Sequence, residues 1–166
     1  MPALYTLDST SYNPLRLTDL HDPDNYYIKN AYPVHTVQEF GGLITSGSDA
    51  PIERRDPAPF LHIEQAITRD VEGQPDIPVL NAGERLDIHS SLAAYTINGA
   101  RAMSQAERLG ALEVGKLADL IVVDRGVVAL AESGRAHEIS ETRVLLTLFD
   151  GKVVFAEESF EASSQR

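Results

Sequence analysis

The sequence predicts an α/β fold in which short strand and helix segments come first and a β-rich part comes last. Two observations predict it. A short apolar run at residues 43–45 leads through a polar turn into a helical pattern at residues 59–70. Strand patterns dominate residues 117–124 and 143–156 instead. The first thirty residues are less informative, because prolines and polar residues interrupt every apolar period, and they predict only loop and short helix.

The first two thirds of the chain predict one short helix and two longer ones. Residues 34–40 form a short helix that ends at Gly41-Gly42, and residues 43–45 then form a strand. Apolar residues at i, i+3 and i+7 predict an amphipathic helix over 59–70, followed by a loop over 71–83. A second long helix begins with Asp87 or Ser90 as its cap. Spacings of four, four and three residues place one set of side chains on the same face of this helix, which we expect to be buried: Leu92, Thr96, Ala100 and Met103.

The last third predicts a sheet. Residues 117–124 carry apolar side chains at both odd and even positions, so both faces of a strand there would be apolar. This pattern is typical of a strand that is buried on both faces or lies at a sheet centre. The segments 143–149 and 152–156 flank Asp150-Gly151, a pair suited to a type I′ turn, so they form a β-hairpin. Residues 157–166 are expected to be a frayed tail.

Length and composition narrow the function classes. The chain has 166 residues, too few for a complete (β/α)8 barrel of roughly 250 residues. The net charge of −11 argues against a nucleic-acid surface, which needs clustered Lys and Arg. The absence of cysteine excludes disulfides and thiolate metal sites, and no stretch is apolar enough for a membrane span. A soluble cytoplasmic protein is expected.

Asp49 is the first candidate for chemistry. It follows the apolar run 43–45 directly, and α/β folds bind ligands outside the carboxyl ends of their strands. A carboxylate at that position can ligate a divalent metal or move a proton. The alternative is that residues 48–51 form only an Asx-type turn, since Ser, Asp and Pro are common turn residues.

The five histidines are not paired at metal-binding spacings. His35 is a candidate for lining a site, because it lies just before the predicted helix that leads to Asp49. His62 is predicted at the surface or boundary of its helix, His89 and His137 are predicted to be solvated, and His21 falls in the uninformative opening segment.

Three ordered motifs resemble one family. G-S-D-x-P at residues 47–51 resembles the last barrel strand and following loop of the amidohydrolase superfamily, in its family 3 branch. The passage from Glu84-Arg85-Leu86 through A-Y-T-I-N-G-A at 94–100 to residues 110–124 is similar to the helix-to-sandwich passage of the same family. Residues 149–155 are similar to its closing hairpin.

The resemblance implies a metal-dependent hydrolase of C–N bonds built on a (β/α)8 barrel with a small β-sandwich. Residues 1–108 then belong to the C-terminal part of the barrel, 109–158 to the sandwich, and 159–166 to a flexible tail. In that family a divalent metal, often zinc, activates a water, and the aspartate that corresponds to Asp49 takes up its proton and passes it to the leaving amine. Asp49 is also implied as a metal ligand. Ser48 and His35 are candidates for the substrate side, although relatives commonly carry an arginine where this sequence has His35.

The sequence also departs from the family. The H-x-H pair, the lysine or glutamate, and the single histidines that complete the metal site belong to segments that it does not contain. One carboxylate cannot hold a catalytic zinc, so we expect this chain alone to be inactive. A missing N-terminal segment, a partner chain or self-association would have to complete the site and cover the sheet edges. The other two interpretations are a non-catalytic assembly or binding module of the same fold, and an unrelated small α+β binding protein.

Overall fold

The computed structural model describes residues 26–48, 57–70, 79–158 and 160 of the chain. Six α-helices precede or interleave with three strands: α1 (Tyr26–Lys29), α2 (Val34–Glu39), α3 (Pro59–Thr68), α4 (Ile88–Tyr95), α5 (Ile97–Ala102), β1 (Leu120–Val123), α6 (Val127–Glu132), β2 (Val144–Phe149) and β3 (Lys152–Ala156). Two 3-10 helices span Ala82–Glu84 and Ala136–Glu141. The mixed α/β prediction is confirmed at this level. No helix in these ranges has the length and apolar character needed to cross a membrane.

Helix α2 ends as its glycine pair predicts. The N–H of Gly42 donates to the carbonyl of Val37 at 2.8 Å and that of Gly41 to Gln38 at 2.9 Å, the two bonds of a Schellman motif. Gly41 has φ +78°. A Cβ on Gly42 would lie within 2.8 Å of the Val37 carbonyl oxygen, so the position leaves no room for a side chain.

The predicted strand at residues 43–45 is wrong for the structure described. These residues belong to no ladder. The bonds of this stretch go to helices instead: the Asn98 amide donates to the carbonyl of Ile44 at 2.9 Å, and the N–H of the following Ser46 donates to the carbonyl of Ala94 at 3.0 Å. A strand needs a neighbouring strand, and none within the described ranges lies beside this segment.

The main core lies where α3 packs against the 3-10 helix Ala136–Glu141 and against α4 and α6. Its buried centre and the partly buried side chains around it are Ile63, Ile88, Leu130 and Ile139, with Phe60, Ile67, Leu92, Tyr95, Val127, Val128, Ala131 and Ala136. Glu64 reinforces this contact, since its carboxylate accepts the N–H of Ser140 at 2.7 Å. The core draws on both sides of residue 108, and the division of the chain at that point stays a prediction.

The three strands form one antiparallel sheet in the order β1-β2-β3. The hairpin β2–β3 is confirmed: Asp150 has φ +50° and Gly151 φ +74°, as a type I′ turn requires. The Asp119 carboxylate accepts the N–H of Asp150 at 2.7 Å and fixes this turn beside β1. The prediction that residues 117–124 form a central or fully buried strand is wrong here. β1 is shorter, lies at an edge, and is at best half-buried, because the hairpin places β2 in the middle.

The carboxylate of Asp124 links the end of β1 to the start of β2 through hydrogen bonds and ion pairs. It accepts the backbone N–H of Arg143 at 3.0 Å and pairs with the guanidinium groups of Arg125 and Arg143, each at 3.2 Å. These bonds to the charged form lower the pKa of Asp124 to about 2, the backbone N–H of Arg143 being the largest cause. The carboxylate therefore stabilises the fold while it is ionised.

We expect Asp124→Asn to destabilise the protein in a pH-dependent way. Because the folded pKa lies below the ordinary value of 3.8, the contribution of Asp124 is complete above that value and is lost as the pH falls through the folded pKa. The difference in unfolding free energy between wild type and variant should narrow between about pH 4 and about pH 2. Urea denaturation across this range measures it. A difference that does not change with pH would contradict the assignment.

Candidate functional site

The segment that leads to Asp49, residues 43–48, is hydrogen-bonded to the junction of α4 and α5. The side-chain amide of Asn98 donates to the carbonyl of residue 44, and the N–H of residue 46 donates to the carbonyl of Ala94. Ser48 is the last described residue of the segment and is half-buried. Asp49 lies outside the described residues, so its role stays a prediction.

The junction exists because the second long helix of the sequence prediction is broken. Asp87 caps α4, accepting the N–H of Ser90 at 2.9 Å, as one of the two predicted caps. Thr96 then has φ −127° and ψ −100°, far from helical values, and α5 starts anew at Ile97. The predicted 4-4-3 face is confirmed only in part. Ala100 is 3% exposed and Leu92 packs against the core, whereas Thr96 is exposed and Met103 is 63% exposed.

His35 lies on α2 and is half-exposed. Its Nε2 is 3.4 Å from an Oε of Glu39, one turn along the same helix. Such an exposed pair contributes little to stability. The structure therefore gives His35 a partner on its own helix, and it shows no bond between His35 and the other predicted site residues within the described ranges.

A remote carboxylate caps α2. Pro33 precedes the helix and provides no side-chain cap, and Glu84 instead accepts the backbone N–H of Thr36 at 2.9 Å together with the Thr36 hydroxyl. Burial raises the pKa of Glu84, but the bonds from Thr36, and then His35, outweigh it and leave the pKa lowered. Glu84 is thus held as an anion at the helix N-terminus, where negative charge is favoured.

Arg69 is the largest fully buried side chain of the described structure. Its guanidinium donates to the backbone carbonyls of Leu80 at 3.0 Å, Ala31 at 3.0 Å and Tyr32 at 3.4 Å. Burial lowers the pKa of Arg69, partly offset by the charge of Glu84. The cation therefore joins the end of α3 to the segment that enters α2.

The prediction for His62 is wrong. The side chain is 2% exposed, and its Nδ1 lies 2.9 Å from the hydroxyl oxygen of Tyr95. The apolar stripe of α3 suggested one buried face, but other elements pack around most of the helix, and Gln65 and Thr68 are buried too. His89 and His137 are exposed, as predicted, while His21 lies outside the described residues.

A cleft of about 550 Å³ is lined by residues between the end of β1 and the 3-10 helix Ala136–Glu141, most of them on or beside α6. Its four charged lining groups are already paired. Arg125 pairs with Asp124 and with Glu141, and Arg135 pairs with Glu138 at 2.6 Å. The lining is balanced in charge and offers no specific preference for an anion or a cation.

The described residues do not form a metal centre. No group of three or more His, Asp or Glu side chains among them is placed to hold an ion. His35, His62, His89 and His137 lie on different elements, each beside a different neighbour.

Asn98, Arg69 and Glu84 are the residues of this region that reasoning from the sequence missed as functional candidates. Asn98-Gly99 did carry a signal, because two poor helix formers in succession argue against one continuous helix. Arg69 and Glu84 carried none, since an arginine at a helix end and a glutamate in a loop are usually solvated.

Comparisons with known proteins agree on one family. The profile of the Amidohydrolase family matches residues 14–155. The chain is 32% identical over 121 residues to an N-substituted formamide deformylase of Arthrobacter pascens, covering 72% of this chain and 20% of the relative. It is 27% identical over 128 residues to a putative amidohydrolase of Bacillus subtilis, covering 77% of this chain and 23% of the relative.

A third relative matches a shorter stretch. A 5-methylthioadenosine/S-adenosylhomocysteine deaminase of Teredinibacter turnerae is 51% identical over 39 residues, which is 24% of this chain and 9% of that protein. No solved structure matches the chain. The chain thus spans about one fifth of the length of the first two relatives.

Proposed function

Because this chain belongs to the amidohydrolase family, in its family 3 group, we propose that it is the C-terminal part of a metal-dependent hydrolase of C–N bonds other than peptide bonds. The family match over residues 14–155 carries the proposal. The substrate class is a small molecule with an amide, formyl or carbamoyl group, and the similarity to a formamide deformylase supports the formyl type.

We place the described residues within a (β/α)8 barrel and a β-sandwich. Residues 1–108 form the C-terminal part of the barrel, 109–158 contribute to the sandwich, and 159–166 are a tail. Residues 43–45 are then the last barrel strand, and the strand that pairs with them comes from the remainder of the enzyme. Ile44 and Ser46 bond to Asn98 and Ala94 on one side of this segment, so the proposed partner strand lies along the other side.

Asp49 is the residue of this chain that we assign to the reaction. An ionised carboxylate at the end of residues 43–48 accepts a proton from the attacking water and returns it to the leaving nitrogen, so that the C–N bond breaks with a neutral amine as the product. Ser48, directly before it, and His35, on α2, are assigned to the substrate side. His35 is half-exposed and pairs only weakly with Glu39 on the same helix, so its imidazole remains accessible to a substrate.

The metal, which we propose to be zinc, requires ligands beyond those that this chain positions. A catalytic zinc site uses about three protein ligands, and the described part of the chain groups none. We therefore propose that Asp49 contributes one ligand and that the rest of the site is supplied by a missing N-terminal segment, a partner chain or a second copy. The chain alone is inactive.

The sheet also needs a covering partner. None of the residues of β1, β2 and β3 is fully buried, and Ile121, Phe149, Val153, Val154 and Phe155 are 48–65% exposed. Exposed apolar strands of this kind favour association with another segment or chain. Neither nucleic acid nor a membrane is a proposed partner, given the net charge of −11. We assign the protein to the cytoplasm, with which its lack of cysteine agrees.

A non-catalytic assembly or binding module of the same fold is the alternative. The observation that favours it is the lack of any grouped metal ligands within the described ranges. The two proposals differ in one respect: Asp49 is required for turnover by the assembled enzyme in the first and is irrelevant to any activity in the second.

Metal analysis and light scattering on one sample of the purified chain test the proposal. We expect less than one zinc per chain, no hydrolysis of formyl, amide or carbamoyl compounds, and dimers or larger species. Addition of the segment that completes the site should raise both the metal content and the turnover. Stoichiometric zinc with turnover by the chain alone would overturn the need for a second segment, and a monodisperse monomer would contradict the uncovered sheet.

A further inference from the structure

The junction between α4 and α5 presents to the Asp49 segment what a neighbouring strand would present. In an extended chain, the carbonyl of residue 44 and the N–H of residue 46 point to the same side. Here the carbonyl of Ile44 meets a donor, the side-chain amide of Asn98, at 2.9 Å, and the N–H of Ser46 meets an acceptor, the carbonyl of Ala94, at 3.0 Å. Both groups are satisfied by helical residues.

The break at Thr96 makes the acceptor available. In a continuous helix the carbonyl of Ala94 would accept the N–H of residue 98, four positions later. The non-helical backbone of Thr96 ends α4, so this carbonyl turns to Ser46 instead. Ala94 is 1% exposed, and a buried carbonyl without this partner would carry a free-energy cost.

The side chain of Asn98 is itself held in one orientation. Arg101 donates to its Oδ1 at 3.0 Å, which directs the amide nitrogen toward Ile44. Asparagine suits the position because its amide donates and accepts at once, as a backbone peptide does. Aspartate has the same shape but cannot donate to a carbonyl.

We propose that Asn98, oriented by Arg101, is a positioning residue that fixes residues 44–46 and so sets the path of the chain three residues before Asp49. The inference rests on the proposed function, in which Asp49 acts in the reaction. A carboxylate that moves a proton has to be held within about 0.5 Å of its productive position. A displacement of about 1 Å lowers the rate about 100-fold.

The test compares Asn98→Asp with Asn81→Asp in the full chain. Asn81 is a matched control, because its amide also donates to a backbone carbonyl, that of Lys29, at 2.9 Å, and it contacts Ala31 rather than residues 44–46. Amide hydrogen exchange measured by NMR should be about tenfold faster at Ser46 in Asn98→Asp and unchanged there in Asn81→Asp. Equal rates at Ser46 in the two variants would overturn the proposal.

A second variant covers the case in which Asn98→Asp does not fold. Arg101→Gln removes the group that orients Asn98, and Arg101 is exposed, so the fold tolerates the change. We expect exchange at Ser46 to rise about threefold. An unchanged rate at Ser46 in a folded Arg101→Gln protein would count against the role of Arg101 in orienting the amide and, in the absence of a folded Asn98→Asp, against the proposal.

Kinetics of the assembled enzyme separate positioning from mere stability. Asn98→Asp should lower kcat about 10-fold to 100-fold and leave KM within about twofold, whereas Asn81→Asp changes neither. If Ser46 loosens and kcat is retained, the positioning role is wrong although the contact is real. If Asp49→Asn also retains kcat, the proposed function itself has failed, and the exchange data still report on the contact.

Discussion

Replacement of Asp49 by asparagine should lower kcat of the assembled enzyme by about two to four orders of magnitude, the usual contribution of a positioned proton-transfer group. Asparagine keeps the size and the hydrogen-bonding oxygen of the side chain, but it cannot take up a proton near neutral pH. Steady-state kinetics, with the thermal unfolding midpoint as a check on folding, measures the effect. Because Asp49 is also proposed as a zinc ligand, the zinc content of both proteins has to be measured and matched. At equal zinc content the loss should appear in kcat and kcat/KM alike, because proton transfer belongs to the chemical step.

Asp70→Asn is the control for this variant. Asp70 lies two residues after α3, and its carboxylate is 3.5 Å from the imidazole of the exposed His137. The same chemical change there should leave kcat within about twofold, since exposed ion pairs contribute little. An Asp49→Asn enzyme that keeps its kcat would exclude the proton-transfer role and would favour the non-catalytic module.

The elements that the sequence predicted well are those whose signals are local. The end of α2 at Gly41-Gly42 and the type I′ turn at Asp150-Gly151 depend on residues with positive φ that glycine and aspartate tolerate. The cap of α4 by Asp87 is equally local, a carboxylate three residues from the N–H that it accepts. Such features need no knowledge of the tertiary structure.

The errors arose where a distant partner decides the structure. Residues 43–45 have a strand composition but bond to α4 and α5, about fifty residues later. The stripe of α3 predicted one buried face, and His62 is buried because Tyr95 and other elements surround the helix. Hydrophobic periodicity reports what a segment prefers, whereas these outcomes depend on which segments fold back onto it.

In the candidate site, too, the sequence predicted the feature with a local signal and missed the contacts between distant residues. The motif at residues 47–51 located the predicted carboxylate, because it is a short run of sequence. Asn98 contacts the segment that leads to it, whereas Arg69 and Glu84 bond to residues at or just before α2. All three lie between about twenty and fifty residues after Asp49 in the sequence. Only the folded arrangement shows that Glu84 caps α2 and that Asn98 bonds to Ile44.

Replacement of Arg69 by methionine should destabilise the fold by about 3 kcal/mol, among the larger effects of a single substitution. Methionine retains most of the apolar stem but none of the donors. The carbonyls of Ala31, Tyr32 and Leu80 then lose a charged partner while they remain shielded from water. Glu84 also loses a nearby positive charge. Urea denaturation of the full chain measures the change in unfolding free energy.

The backbone of Arg69 supports a specific role for its side chain. Arg69 ends α3 with φ +65°, a left-handed conformation that costs a non-glycine residue about 1–2 kcal/mol. Glycine adopts this backbone conformation without that cost. Arg69→Gly therefore removes the guanidinium as Arg69→Met does, but it also relieves the conformational cost of the left-handed backbone. Arg69→Gly should therefore also be less stable than wild type, because the three lost bonds outweigh the relief.

Arg85→Met is the matched control. Arg85 also donates to a backbone carbonyl, that of Thr68 at 2.9 Å, but its side chain is exposed and water can replace it. We expect a loss of about 1 kcal/mol or less. If Arg69→Met and Arg85→Met are equally stable, the buried guanidinium does not join α3 to α2. If Arg69→Met loses about 3 kcal/mol and Arg85→Met does not, burial and the number of carbonyls account for the difference.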